Sequence, residues 1–240
     1  MKNLIIIGTY NEVQNIGALL KRIFKYILDC SVLVIDDNSP DGTAEVIKEL
    51  KNEFPELHLI ERPNKLGLGS AYKLGFQWGL KHDYKNIIHM DADFSHRVRD
   101  LSKLINEKES DPGIGLVIGS RWTKGGGTLN WPMKRQALSR FANMYVRLML
   151  GVKTHDSTAG FRLYDRDALE VIDWSAIASE GYAFHIELTR ALTEAGIKIV
   201  EVPIVFRERV AGVSKMSGKV VSEAMTLVTI WGVKRGFRIK

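Results

Sequence analysis

Two carboxylates one residue apart, in Asp91-Ala92-Asp93, follow the apolar run Asn86–Met90 and can approach a single hard cation directly or through water. Mg²⁺ is held in this way by one or two carboxylates together with substrate phosphates, and it keeps several waters. The other use of such a pair is a turn or helix cap, which aspartate also favours. Asp36-Asp37 repeats the pattern after Val32–Ile35. Adjacent side chains on an extended segment point oppositely, so one of the pair faces a ligand and the other solvent or backbone. A carboxylate there can accept hydrogen bonds from a nucleobase or a ribose. Thr9-Tyr10-Asn11-Glu12 follows Asn3–Ile7, with Glu12 either in the same cluster or favouring the next helix start through its dipole. Arg121 comes just after Gly115–Ile118, and Arg135, Arg140 and Arg147 follow on a helical pattern, the last two seven residues apart on one face. Arginine forks match phosphate oxygens in a bidentate manner, although Arg140 and Arg147 also fit plain solvent-facing charges. Arg207-Glu208-Arg209 and Ser214-Lys215 frame a glycine-containing loop, Gly212 to Gly218, of a kind that closes over charged substrates.

Side chains so far apart in sequence meet only if a scaffold gathers them. Asn3–Ile7, Val32–Ile35, Leu57–Ile60, Asn86–Met90 and Gly115–Ile118 are aliphatic, β-branched runs bounded by turn residues, as in parallel strands covered on both faces. Between them Glu12–Leu28, Asp41–Phe54, Ser70–His82 and Arg99–Glu109 carry apolar residues at helical spacing, the second opened by Ser39 as cap and Pro40 as first helical residue. The alternation predicts an α/β fold with a mainly parallel sheet. Open sheets of this kind bind ligands at the carboxyl ends of their strands, where all three acidic clusters fall. Further on, Gly125-Gly126-Gly127 reads as a mobile loop, Lys134–Leu150 as a helix, Gly160–Tyr164 as a strand, Phe184–Ala195 as a helix and Ile197–Val202 as a strand. Val220–Val233 reads as a final amphipathic helix. A core segment, 1–216, is expected to be followed by an amphipathic, basic segment, 217–240.

The 240 residues carry 34 Lys+Arg against 28 Asp+Glu and are 45% hydrophobic, the balance of a globular chain rather than of a disordered, collagenous or coiled-coil one. The net charge of +6 is unevenly placed: from Pro112 to His155 there is no Asp or Glu, while seven Lys/Arg fall inside. Such a segment suits an anion: nucleic acid, a phosphorylated substrate or a membrane surface. Nucleic acid is disfavoured, because three acidic strand-end clusters would repel its backbone and aromatic residues are only sparsely interleaved with the basic ones. The first βα turn, Gly8-Thr9-Tyr10-Asn11, lacks the G-x-G-x-x-G of dinucleotide binding, and no G-x-x-x-x-G-K-[ST] occurs. A lone cysteine, Cys30, offers no disulfide or metal-ligand spacing. With no apolar stretch of about 20 residues and no signal-peptide core, a cytoplasmic location is expected.

In these residues the chain resembles glycosyltransferases of family 2 with the GT-A (Rossmann-like) fold, and among them the dolichol- and polyprenol-phosphate mannosyltransferases. The matching segments run in family order. They are Thr9–Glu12, Ile35–Thr43, Gly67–Tyr72, Met90–His96, Ile118–Arg121, Asp156–Arg162, Glu201–Ile204 and Gly212–Met216. The resemblance implies a single α/β domain with a C-terminal amphipathic helix, and transfer of mannose from GDP-mannose to a polyprenyl or dolichyl phosphate with a divalent metal, Mg²⁺ or Mn²⁺. It implies nucleotide-sugar contacts at Gly8, Tyr10, Glu12, Ile35 and Asp37, with Asp91, Ala92 and Asp93 at the diphosphate and Asp91 and Asp93 on the metal. Arg209 and Lys215 would meet donor phosphates, Arg121 and Arg135 the acceptor phosphate, with Asp93 and Arg121 catalytic. Gly8 and Val98 stand where relatives commonly have proline, and Ser95 where some place a glutamine ligand. Many relatives carry C-terminal spans; here residues 220–233, followed by Lys234, Arg235, Arg238 and Lys240, suit either a helix lying on the cytoplasmic face of a membrane or one packed on the core. A separate membrane-anchoring protein is a compatible partner. The same fold acting with UDP-glucose is the nearest rival. Arg121→Ala is expected to impair transfer far more than stability.

Overall fold

The run Asn3–Thr9 (β1) alternates between two cores: Ile5 and Ile7 face one, Leu4 and Ile6 the other, and all four are fully buried. This is the behaviour of a strand with helices on both sides, and it explains why the sequence shows a continuous aliphatic run instead of an apolar/polar alternation. The computed structural model describes residues 3–179, 181–208 and 218–238. After β1 come α1 (Val13–Tyr26), β2 (Cys30–Asp36), α2 (Thr43–Leu50), β3 (Leu57–Glu61), α3 (Leu68–Lys81) and β4 (Asn86–Asp91). A 3-10 turn at Val98–Asp100 leads into α4 (Leu101–Ser110) and β5 (Ile114–Ser120). The second half holds β6 (Gly127–Leu129), α5 (Met133–Leu150), β7 (Arg162–Asp165), α6 (Arg166–Glu170), α7 (Gly181–Glu194), β8 (Lys198–Pro203), β9 (Val205–Arg207) and α8 (Gly218–Arg238).

Among the described residues the main sheet has seven strands in the order β3-β2-β1-β4-β7-β5-β8, parallel except for β7. Helices α1, α2 and α4 cover one face, and α3, α6 and α7 the other. A third, smaller cluster joins α5, α7 and α8 through Val146, Leu150, Ile186 and Val228. The register matters for the site: Thr9 lies opposite Asp36, and Gly8 opposite both Ile35 and Asp91, so the strand-end residues of β1, β2 and β4 come level at one rim.

Two local readings are corrected and a third is completed. Helix α2 starts at Thr43, not Asp41. The Ser39 hydroxyl is engaged by Asp36 and by the Asn11 N–H, Gly42 takes the position before the helix at φ +90°, and Asp41 accepts from the Thr43 N–H. Its end at Leu50 releases Phe54 to stack on Phe24 at 4.5 Å. The Gly125–Gly127 segment is not a loose loop: Gly127 opens β6, which pairs in parallel with β9, and its N–H donates to Ile204 O at 3.0 Å. The strand near Gly160–Tyr164 runs antiparallel between β4 and β5. Its Arg162, fully buried, donates to Ala159, Ser157 and His185 carbonyls and to Thr189, satisfying a charged group inside the fold.

Candidate active site

At the carboxyl end of β1, β2 and β4 the backbone bends sharply. Asn11, Asn38 and Phe94, each just past one of these strands, sit at φ +58°, +57° and +60°. Side chains rarely adopt that region, and such residues cluster where a turn must present polar groups at a site.

A cavity of about 190 Å³ opens beside β1 and β2, lined by Gly8, Thr9, Tyr10, Ile35, Asp37, Lys65, Gly67, Leu68 and Ala71. A Cβ on Gly8 would stand 3.0 Å from Leu68 Cδ1, so glycine is what lets α3 approach β1 behind this wall. Lys65 Nζ lies 3.9 Å over the Tyr10 ring. The two adjacent aspartates divide as extended neighbours must. Asp36 accepts from Thr9 Oγ1 at 2.8 Å and from the Ser39 N–H, fixing the loops to each other. Asp37 turns to the cavity, where Arg62 pairs with it and the Leu66 and Gly67 N–H groups donate to Oδ2 at 3.2 and 3.3 Å. Arg62 also donates to Ser70 and to Gly67 O, and sequence reasoning passed over it; its only signal was its place after β3. Glu12 lies at the start of α1, with its carboxylate accepting from Asn15 Nδ2 at 2.9 Å.

Asp91 is the partly exposed member of the aspartate pair, and Asp93 is buried with Oδ1 accepting the Ser95 N–H at 3.0 Å. His96 Nδ1 accepts the Asp91 N–H at 3.1 Å, which assigns its other nitrogen as the protonated one if the ring is neutral. Burial does lower the His96 pKa, against the opposing pull of Asp91 and Asp93. Gly160 leaves open a space that a Cβ would fill, 3.4 Å from His185 Nε2 and 3.8 Å from Asp91 Oδ1. His185 and its stacked neighbour His89 are also held neutral, first by burial. Among the described residues no group of three His, Cys, Asp or Glu side chains converges as a full metal cage. Two hard carboxylates at a strand end fit Mg²⁺ or Mn²⁺ that takes its remaining ligands from water and a diphosphate.

Arg121 lies beyond this turn, linked to it through Phe206: its guanidinium carbon is 5.6 Å from that ring, and Phe206 meets His96 edge-on at 5.3 Å. The Arg121 Nε and Nη2 atoms both donate to Asp156 at 2.7 Å, and Nη2 also to Thr158. Burial works to raise the Asp156 pKa, but the Arg121 charge and hydrogen bonds outweigh it and hold the carboxyl below its ordinary value. Glu201 in turn accepts from the His155 and Asp156 N–H groups, anchoring the segment that carries Asp156. Asp156 is fully buried and would lose its compensating charge on Arg121→Ala, so that substitution is expected to cost stability as well as transfer. Arg135 sits 3.9 Å over Trp131 and pairs with Glu208 at 2.8 Å. Arg140 lies over Trp122 and is exposed. Arg209, Lys215 and the expected loop from Gly212 lie outside the described residues. A second, apolar cavity of about 60 Å³ runs between α5 and α8, with Arg121, Ser139 and Thr158 at its polar end.

One rim of the sheet thus carries three features in order: a cavity with an aromatic ring, a carboxylate pair, and a braced arginine. Glycosyl transferase family 2 matches residues 4–173. The chain belongs to that family. It is 47% identical over 234 residues to a polyprenol monophosphomannose synthase of Mycolicibacterium smegmatis, covering 97% of this chain and 88% of the relative. It is 44% identical over 233 residues to an undecaprenyl-phosphate mannosyltransferase of Micrococcus luteus, covering 97% and 95%. A glucosyl-3-phosphoglycerate synthase from Mycobacterium tuberculosis shares the fold with a TM-score of 0.70 at 15% identity, over 98% of this chain and 79% of that one. A mannosyltransferase from Pyrobaculum calidifontis, solved with GDP-mannose and Mn²⁺, has a TM-score of 0.62 at 18% identity, over 99% and 64%. The GT-A-like architecture is therefore common to this chain and these glycosyltransferases.

Proposed function

We propose that this glycosyltransferase moves mannose from GDP-mannose to a polyprenyl monophosphate, inverting the anomeric carbon. The observation that carries the reading is the sequence along the rim of cavity, Asp91/Asp93 and Arg121, in a chain nearly half identical to two polyprenyl-phosphate mannosyltransferases over almost its whole length. The nucleoside occupies the cavity, with its base against Tyr10 and its ribose near Ile35 and Asp37. Asp91 and Asp93 hold a divalent cation, which when bound neutralises charge on the departing diphosphate. Arg121 and Arg135 receive the acceptor phosphate, and the apolar slot beyond Arg121 suits the junction of phosphate and hydrocarbon. Arg209 and Lys215 are assigned to the phosphates as well.

The acceptor is a phosphate monoester whose second pKa is about 6, so it is ionised at neutral pH and attacks without a general base. The protein's task is to bring two mutually repelling anions together, which positioning and fixed positive charge accomplish. Attack opposite the leaving group converts an α-linked donor into a β-linked product.

The deciding assay combines purified protein, radiolabelled GDP-mannose, a short polyprenyl phosphate and Mg²⁺. Label should pass into the lipid extract, fall to background with chelator and return with Mg²⁺ or Mn²⁺, while unlabelled UDP-glucose competes poorly. Transfer that ignores chelator, or UDP-glucose displacing GDP-mannose at equal concentration, overturns the metal or the donor assignment respectively. Tyr10→Ala should raise the donor KM about tenfold and leave kcat within about twofold, because stacking of a base is worth about 1–3 kcal/mol. Initial rates at varied donor concentration measure it, and an unchanged KM removes Tyr10 from the donor site.

A further inference from the structure

Gly160 has neither of the usual reasons to be a glycine. Its φ lies outside the left-handed region, and a Cβ placed on it would meet its nearest neighbours at ordinary contact distance. Those neighbours belong to the site: His185 Nε2 at 3.4 Å, Asp91 Oδ1 at 3.8 Å and His96 Cε1 at 3.8 Å. The absent methyl therefore leaves a space for one small group between a carboxylate and an imidazole. Gly160 is itself partly exposed, so that space is reached from outside. His185 is the second anomaly. It is 4% exposed, and its Nδ1 has no hydrogen-bond partner. A buried polar atom left in this way costs stability, and in native proteins it calls for a functional reason. The ring is nevertheless held firmly. It stacks on His89 at 5.1 Å, and Arg162 donates to the His185 carbonyl at 3.0 Å while also donating to the Ser157 and Ala159 carbonyls. One buried guanidinium thus ties the start of α7 to the segment that carries Gly160. On the opposite wall the Tyr72 hydroxyl donates to Asp91 Oδ1 at 3.4 Å.

We propose that this space receives one hydroxyl of the donor hexose, with Asp91 Oδ1 accepting its proton and the His185 Nε2–H donating to its oxygen. The inference rests on the reading of the donor as a nucleotide sugar and adds to it the residues that grip the sugar, His185 and Gly160. Position selects a hexose. During transfer the sugar lies between the departing diphosphate and the incoming phosphate, and the segment from Asp156 to Gly160 spans that interval. At one end Asp156 and Thr158 hold Arg121 at 2.7 and 2.8 Å; at the other Gly160 stands beside Asp91. Chemistry selects a hydroxyl. Burial, ahead of the nearby positive charges, holds the His185 imidazole neutral, and with Nδ1 bare the other nitrogen carries the proton. A group that gives one hydrogen bond to a carboxylate and takes one from an imidazole N–H within the volume of a methyl is an alcohol, whereas a phosphate oxygen would be repelled by the carboxylate. O2 and O3 are the hydroxyls nearest the diphosphate, so one of these two is the occupant.

Calorimetric titration of the full chain with GDP and with GDP-mannose, in Mg²⁺ and without lipid acceptor, tests this. His185→Phe should weaken GDP-mannose binding about tenfold or more and leave GDP within about twofold, because the lost contact is to the sugar alone. Gly160→Ala should act in the same direction by filling the space, since its methyl meets nothing closer than 3.4 Å in the protein. His185→Gln keeps an N–H donor and should stay within about threefold of the parent. Phenylalanine preserves the stack on His89 and removes an unpartnered nitrogen, so the melting temperature of His185→Phe should hold or rise. Of GDP-2-deoxymannose and GDP-3-deoxymannose, one should bind the parent about tenfold more weakly than GDP-mannose, and His185→Phe should add no further loss with that donor. Parent-like GDP-mannose binding by both His185→Phe and Gly160→Ala overturns the proposal. So does an equal weakening of GDP, which would put the defect at the nucleotide or the metal, or a deoxy-sugar penalty that adds in full to that of His185→Phe. A parent that binds UDP-glucose in place of GDP-mannose removes the mannose reading and not the hydroxyl site, which UDP and UDP-glucose then test by the same comparison.

Discussion

Asp93→Asn is expected to lower kcat by about a thousandfold or more while the melting temperature moves by no more than about 4 °C. The first figure follows from the metal's contribution of several kcal/mol to a developing negative charge, each 1.36 kcal/mol being a factor of ten. The second follows from the structure. Asp93 Oδ1 accepts the Ser95 N–H at 3.0 Å, and an asparagine oxygen can accept it equally. What disappears is the ionic charge, not the turn that carries it. Asp91 keeps its own bracing, since His96 holds its backbone N–H. Initial rates over a range of Mg²⁺ and Mn²⁺ concentrations, beside a thermal melt, make the check. Near-parental turnover at saturating metal would remove Asp93 from the metal site, and a collapse of the melt would make its role structural.

Much of this site is legible in the linear sequence because its framework is local. The strand runs and helical spacings of the first 120 residues place their elements mostly within two residues, and in a parallel sheet that alone brings Asp37, Asp91 and Arg121 to one rim. Contacts that depend on distant residues were not legible. Asp37 meets Arg62 across 25 positions, Arg121 meets Asp156 across 35, and Arg135 meets Glu208 across 73. Nothing in the spacing of either partner announces the other, so the sequence shows a row of cations where the structure shows cations already braced by carboxylates. The short β6 and β9 ribbon was equally silent, because three residues are too few to display a period. Strand β7 was visible as a strand but not in its direction, which the buried hydrogen bonds of Arg162 help to fix. The C-terminal helix left both of its readings open for a related reason: an amphipathic period says that one side is apolar, not whether that side meets protein or lipid.

The Arg121–Asp156 pair allows stability and chemistry to be separated by a double-mutant cycle. Arg121→Ala alone leaves a fully buried carboxylate without its partner, a change that costs about 3–5 kcal/mol and about 6–20 °C in a protein of this size. Asp156→Ala alone strands the buried guanidinium and should destabilise by a similar amount. Removing both takes away the desolvated charges together, so the double variant should be more stable than either single one, with a coupling of about 1–3 kcal/mol. Activity should not follow. If Arg121 meets the acceptor phosphate, both variants lacking it lose about a hundredfold or more in kcat/KM for the lipid, as when one fixed donor to a reacting oxyanion is deleted. Asp156→Ala retains the guanidinium but frees the edge that Asp156 holds, so its loss should fall mainly on acceptor KM and be smaller. Chemical denaturation and acceptor kinetics on the four proteins decide the matter. Recovery of transfer in the double variant would reduce Arg121 to a structural ion-pair partner; stability restored without transfer would assign its charge to the chemistry, with Asp156 present because a buried, correctly aimed arginine cannot be held in place without a counter-charge.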